Sequence, residues 1–189
     1  MDSVTLLTAD HNRVRGLFAR FRTAHEKDDV DKMAALTEQM VRELQVHTKI
    51  EEDIFYPEVR RASGELEEIV AEGIEEHHVV DHLIEELDGL QPGAEEWVAK
   101  VQVMIESVEH HAKEEEQEMF PMTRRAFDNA ELSAQAQRLE SRKAELGAPT
   151  LADKDHLTVE ELRRLAQDQE IPGRSDMDRD QLLATVAPD

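Results

Sequence analysis

Along four long stretches, apolar residues recur at steps of three and four, the spacing that lines one face of an α-helix. The first stripe reads Val4, Leu7, His11, Val14, Phe18, Phe21, and the second Leu36, Met40, Leu44, His47, Glu51, Phe55. The third reads Val70, Ile74, His77, Val80, Ile84, Leu87, and the fourth Trp97, Val101, Met104, Val108, His111, Glu115, Met119, Met122. Strand-like alternation is scarce and strong helix formers dominate, so the pattern predicts an all-α fold. Each stripe carries a histidine near its middle, at a position that faces the interior.

Start and stop signals set the expected limits of the helices. Ser3 can cap a first helix running to about His25, and Asp28, Asp29 and Asp31 crowd the start of a second running to about Arg61. Ser63-Gly64 breaks that helix, and a third spans about Glu65 to Asp88. Gly89-Leu90-Gln91-Pro92-Gly93 reads as a loop, followed by a helix from about Ala94 to Phe127. Asp128-Asn129 can cap a further helix ending at Gly147. Long helices with short connections predict an up-down-up-down four-helix bundle with one additional helix, over residues 1–146. Gly147-Ala148-Pro149-Thr150 opens an expected linker, 147–157. A small helical module is expected over 158–189: Thr158 and Glu161 form a capping box, Ile171 to Ser175 must be extended or turned, and Met177 to Val186 reads as a short helix.

Composition narrows the chemistry. The 189 residues carry 22 Lys and Arg against 44 Asp and Glu, a net charge of −22. Such a surface repels phosphate backbones and anionic lipid. Cysteine is absent, which excludes disulfides, thiolate nucleophiles, zinc fingers and iron–sulfur clusters. No apolar run approaches a membrane span, and Met1-Asp2-Ser3 lacks the plan of a secretion signal, so a cytoplasmic protein is expected. Nine histidines beside so many carboxylates form a ligand set for hard or borderline metal ions.

The histidines belong to an internal repeat. His47-Thr48-Lys49-Ile50-Glu51-Glu52 precedes Phe55-Tyr56-Pro57, and His111-Ala112-Lys113-Glu114-Glu115-Glu116 precedes Met119-Phe120-Pro121, 64 residues later. Asp10-His11 and Glu76-His77 form a weaker pair 66 residues apart. Two αα-hairpins would each bring one His from the first helix and a His-x-x-x-Glu from the second. Residues four apart lie about 40° apart around a helix, so each such pair aims an imidazole and a carboxylate at one point. A lone His on an apolar face usually packs there with a local hydrogen bond. Burying four imidazoles and two carboxylates without metal would cost on the order of several kcal/mol, so metal is the expected resolution.

Helix three leaves alternatives. His78 and His82 form their own i, i+4 pair on a polar face, while His77 and Asp81 lie on or beside the apolar one. His77 is the favoured ligand, with Asp81 and His82 as candidate additions. His78, His82 and His110 are otherwise expected in solvent, and His25 and His156 are incidental. Tyr56 and Phe120 are expected to pack and end the ligand-bearing turns, a hydrogen-bonding or redox role for Tyr56 being the alternative.

The order His11, His47-x-x-x-Glu51, His77, His111-x-x-x-Glu115, with an aromatic-Pro after each pair, resembles the hemerythrin-like or HHE cation-binding domain over about residues 3–146. The resemblance implies a four-helix bundle holding two non-haem iron ions per chain, with His11, His47, Glu51, His77, His111 and Glu115 as metal ligands. It also implies a small diatomic or peroxide ligand: oxygen, nitric oxide or peroxide, in stress response or sensing. In the oxygen-carrying members a second His follows one turn after the first on helix three, where this chain has Asp81, and the last carboxylate is a differently spaced Asp. These departures favour oxidised iron and exogenous ligands over reversible oxygen transport. No catalytic residue is singled out; an enzyme of this kind would be a di-iron oxidoreductase turning over peroxide or nitric oxide.

The tail, with Leu157 to Leu162, Ile171-Pro172-Gly173-Arg174-Ser175 and Gln181-Leu182-Leu183, resembles the small N-terminal helix-extended-helix module of transcription termination factor Rho, and SAP-like modules. That resemblance implies nucleic-acid contact through Arg163, Arg164, Arg174 and Arg179. From Asp155 onward, however, four Arg face nine Asp or Glu, which favours a docking or solubilising role, or packing on the bundle. The alternative to a small-ligand protein is an iron- or redox-responsive regulator whose C-terminal module engages a partner or nucleic acid.

Overall fold

The computed structural model describes residues 1–154 and 157–187. Expectations that fall on Asp155, His156, Pro188 and Asp189, the incidental role of His156 among them, lie outside the described residues. The described residues are helical, with no strand among them. Helix α1 (Ser3–Glu26) and α2 (Val30–Ile50) form one hairpin, and α4 (Gly64–Leu87) and α5 (Glu95–Glu114) a second. A π-helical turn (Glu51–Phe55) joins α2 to the short α3 (Tyr56–Val59). A second π-helical turn (Glu115–Met119) joins α5 to α6 (Phe120–Ala126). The second and fourth rods are therefore not the uninterrupted α-helices the periodicity predicts.

The caps explain most boundaries. Asp2, not Ser3, caps α1: its backbone is extended and its carboxylate accepts the Thr5 N–H at 2.7 Å, while Ser3 is already helical and buried. A carboxylate so placed also suits the positive end of the helix dipole. Ser63 caps α4 by accepting the Leu66 N–H. Between the hairpin helices, Gly93 takes φ +83°, and a Cβ there would lie 2.8 Å from the Val30 side chain, so only glycine meets both demands.

Two apolar clusters fill the bundle. Phe18, Phe21, Met40, Trp97, Val101 and Met104 belong to one, and Leu7, Ile50, Phe55, Tyr56, Val70, Met119 and Phe120 to the other. The stripe histidines fall between these clusters along each rod, so a polar layer is enclosed by apolar ones.

Helix α7 (Asn129–Glu145), started by an Asp128/Glu131 capping box, packs along the first hairpin. Its Leu139 is fully buried, Arg138 holds Glu58 at 2.7 Å, and Lys143 Nζ lies 2.6 Å from the buried Asp10 carboxylate. Within the stretch expected to be a linker, α8 (Leu151–Lys154) makes one helical turn. The C-terminal residues form α9 (Val159–Asp168), a 3₁₀ turn (Arg174–Asp176) and α10 (Arg179–Thr185) around their own small core of Leu162, Ala166, Ile171, Leu182 and Val186. This module rests on α1. Arg13 Nη1 donates to the Ala184 carbonyl, and a Cβ at Gly16 would meet Gln169 O at 2.6 Å. Backbone contact that close requires glycine on the α1 face.

Candidate metal centre

His11 on α1, His47 and Glu51 on the second rod, His77 on α4, and His111 and Glu115 on the fourth rod all point into the polar layer and are buried. Their ligating atoms fall into two groups that share Glu51: His11, His47, Glu51 and Glu115, and Glu51, His77 and His111. The Nε2 atoms of His11 and His47 stand 3.1 Å apart, as do those of His77 and His111. Glu51 spans the two groups, with Oε1 3.3 Å from His47 Nε2 and Oε2 3.4 Å from His77 Nε2. Glu115 Oε2 lies 3.3 Å from His11 Nε2 and 3.8 Å from His111 Nε2.

Three of the four imidazoles hydrogen-bond a carboxylate at their other nitrogen. His11 Nδ1 lies 2.9 Å from Glu116, His77 Nδ1 3.0 Å from Glu52, and His111 Nδ1 2.7 Å from Glu76. His47 Nδ1 is 3.6 Å from Asp10, a looser contact. A carboxylate on Nδ1 fixes the ring and leaves the Nε2 lone pair for a cation. The pattern follows the repeat. The acid preceding each first-helix His (Asp10, Glu76) serves the second-helix His of its own hairpin, and the acid following each Glu (Glu52, Glu116) serves the first-helix His of the other.

Without a cation this arrangement is costly. Glu51 is 0% exposed, and neither of its oxygens has a hydrogen-bond partner; Glu115 Oε2 also lacks one. Burial and the neighbouring charge of Glu115 push the Glu51 carboxyl well above its usual range. Burial acts on Glu115 too, but the imidazoles of His111 and His11 outweigh it and hold that carboxyl low. Burial disfavours charged His11, yet Glu115 and Glu116 prevail and raise it to about 9. His47 goes the other way, to about 4, because burial and the adjacent His11 outweigh Asp10. Asp10 is buried, which alone would raise it, but Lys143 and Arg13 hold it well below the carboxylate range. Two nitrogens each about 2.1 Å from one cation, at right angles, stand about 3.0 Å apart. The paired Nε2 atoms, the unpartnered carboxylate oxygens and the all-N/O donor set fit metal.

The stripe residues thus come together, and the two candidate additions do not. Asp81 and His82 are exposed, and His82 lies 3.7 Å from Glu86 instead. The buried face of α4 runs through Gly73, His77 and Val80, so the next residue and its neighbour turn outward. His78 and His110 also stand in solvent. Tyr56 takes the alternative role: its hydroxyl donates to Glu115 Oε1 at 2.9 Å, while its ring stacks on His77. Burial, with the charges of Glu115 and Glu51, raises the Tyr56 hydroxyl well above its usual value, so it keeps its proton. Phe120 stacks on His11 at the matching position, without a hydroxyl.

The four supporting carboxylates are residues that stripe periodicity overlooks, because each sits beside a ligand position and off the apolar face. The repeat did mark them: Asp10 and Glu76 correspond, as do Glu52 and Glu116.

A family model described as Hemerythrin HHE cation binding domain matches residues 2–123. A DNA nickase of Nostoc sp. (strain PCC 7120 / SAG 25.82 / UTEX 2576) is 25% identical over 146 residues, covering 77% of this chain and 40% of that protein. The chain therefore spans less than half the length of this curated relative. No solved structure matches the chain.

Proposed function

Because the chain belongs to the hemerythrin HHE cation-binding domain family, we propose that it is a non-haem di-iron protein that binds or reacts with one small ligand: oxygen, nitric oxide or peroxide. The observation that carries this reading is Glu51, a fully buried carboxylate with both oxygens unpartnered between two imidazole pairs. His11 and His47 would hold one ion and His77 and His111 the other, with Glu51 and Glu115 between them. Nitrogen and carboxylate donors without thiolate suit iron. Iron held there would supply redox chemistry toward a diatomic or peroxide ligand.

The protein's own side chains do the rest. Glu52, Glu76 and Glu116 hold three of the rings in orientation, and Asp10 lies more loosely beside His47. Tyr56 keeps a proton on its hydroxyl beside Glu115, where it can be passed to a reduced ligand. A cavity of about 20 Å³ adjoins the centre, walled by Val14, Phe18, Leu44, Val80 and Val108 as well as the histidines. A water needs roughly 10–15 Å³ of such space, so the cavity has room for a diatomic molecule.

The test is stopped-flow spectroscopy of the reduced, iron-loaded protein against oxygen, nitric oxide and peroxide in parallel. Fast spectral change with at least one, abolished in His47→Ala and His111→Ala but kept in His82→Ala, is the expected result. Absence of reaction with all of them contradicts the reading.

A second reading is a regulator in which the C-terminal module engages a partner or nucleic acid. It is favoured by the docking of that module on α1, where Arg13 bridges Asp10 of the centre and the Ala184 carbonyl. The name of the Nostoc relative brings DNA to mind, but a net charge of −22 opposes contact with a phosphate backbone. Metal-loaded protein should leave supercoiled plasmid intact; conversion to open circles would favour the nucleic-acid form of this reading.

A further inference from the structure

We propose that divalent cations enter the centre through an acidic cleft between α4 and the fourth rod, where Glu76, His110 and Glu114 hold an incoming ion before it moves inward. The inference rests on the dinuclear reading above and concerns how such a centre is filled.

The cleft measures about 40 Å³; Glu72, Glu76, Glu114 and Glu118 line it beside Ile69, Gly73 and Met119, with His111 and Glu115 also in its wall. Glu115 Oε2, buried and without a hydrogen-bond partner, belongs to the innermost of these side chains. Glu76 faces both ways. Its Oε2 lies 2.7 Å from His111 Nδ1, and its Oε1 lies 3.7 Å from the exposed His110 Nε2. His110 in turn lies 3.3 Å from Glu114, so one imidazole and two carboxylates offer ligand atoms within 4.8 Å of one another at the surface. Gly73 brings the α4 wall of the cleft close to the centre: a Cβ there would lie 3.1 Å from the Tyr56 hydroxyl and 3.5 Å from His111 Cε1.

Comparison of the two halves of the repeat shows that the bundle does not need these acids. In the first half, the places of Glu72, Gly73, Glu114 and Glu118 are taken by Leu6, Leu7, Ile50 and Ile54, all packed in the apolar cluster that includes Leu139 of α7. Asp10, in the place of Glu76, is neutralised by Lys143 and Arg13. One half is closed by a helix and an ion pair. The other half is open, lined with negative charge and connected to an unpartnered carboxylate. A cleft lined by one sign of charge concentrates counter-ions and speeds their arrival.

The experiment mixes the metal-free 189-residue chain with Co(II) in a stopped-flow instrument and follows the cobalt visible absorption. In the variant Glu72→Gln/Glu114→Gln/Glu118→Gln, uptake should slow by about tenfold and depend less on salt, with the final cobalt content unchanged. A control with the same loss of charge elsewhere, Glu38→Gln/Glu85→Gln/Glu106→Gln, should load at nearly the wild-type rate. Wild-type speed in the first variant overturns the route. Equal slowing in the control also overturns it, because net charge alone would then steer the ion. A lower final content in the first variant overturns it as well, since those acids would be resident ligands. End point and rate separate the two claims. Two ions per wild-type chain with an unslowed variant removes the route alone, whereas fewer than two removes the dinuclear centre and the route with it.

Discussion

At Glu51 a carboxylate sits where no solvent reaches it and no donor satisfies it. Such a group is tolerated when something else carries its charge. Sequence alone identified Glu51 because it continues an apolar stripe one turn after His47, and the same logic found the other residues of the cluster. It did not find Asp10, Glu52, Glu76 and Glu116, since a face-by-face reading treats acids beside the stripe as solvated surface. Asp81 and His82 lie outside the cluster because they follow the buried Val80 by one and two positions, about 100° and 200° round the helix, and face away from the interior. The supporting acids should matter. Glu116→Gln or Glu52→Gln is expected to lower metal affinity roughly 10–100-fold, measured by competition with a chelating dye. His78→Ala should leave affinity unchanged. Equal affinities in all three variants would show that the ring contacts do not tune the centre.

On the scale of elements, the helices were legible because caps and periodicity agree. Thr158 with Glu161, and Asp128 with Glu131, form the boxes that start α9 and α7. The π-helical turns were not legible. Each begins at a carboxylate of the centre, Glu51 or Glu115, and the Tyr56 and Phe120 N–H groups reach back five residues to those carbonyls. Each turn takes in one extra residue, and both residues at its end are buried, Phe55 with Tyr56 and Met119 with Phe120. Helix α7 could be placed in sequence but not in space, because its short apolar face of Leu132, Ala136 and Leu139 names no partner and its buried ion pair, Lys143 with Asp10, joins residues far apart in the chain. Breaking a buried pair strands a charge, so Lys143→Met should destabilise the metal-free protein by about 3 kcal/mol in urea unfolding. Arg142→Ala, which removes the more exposed contacts to Asp53 and Glu145, should cost far less. Similar costs for both would mean that Asp10 finds its compensation elsewhere.

The whole molecule joins a metal-binding bundle to C-terminal helices with a small core of their own, whose seat on α1 was not legible in the sequence. Docking depends on Gly16, a residue that offers no signal in a helical pattern beyond the absence of a side chain. Gly16→Val should push the module off: limited proteolysis between residues 146 and 157 should accelerate, while metal content stays at the wild-type level. Unchanged proteolysis would show that the contact is dispensable. A change in metal content would show instead that the module supports the centre through Arg13 and Asp10. Anomalous diffraction from crystals of iron-loaded protein tests most directly whether four helical rods hold two cations. The expected result is two iron peaks per chain, one against His11 and His47 and one against His77 and His111, with Glu51 touching both. A single peak, or peaks only among the exposed carboxylates, would contradict it.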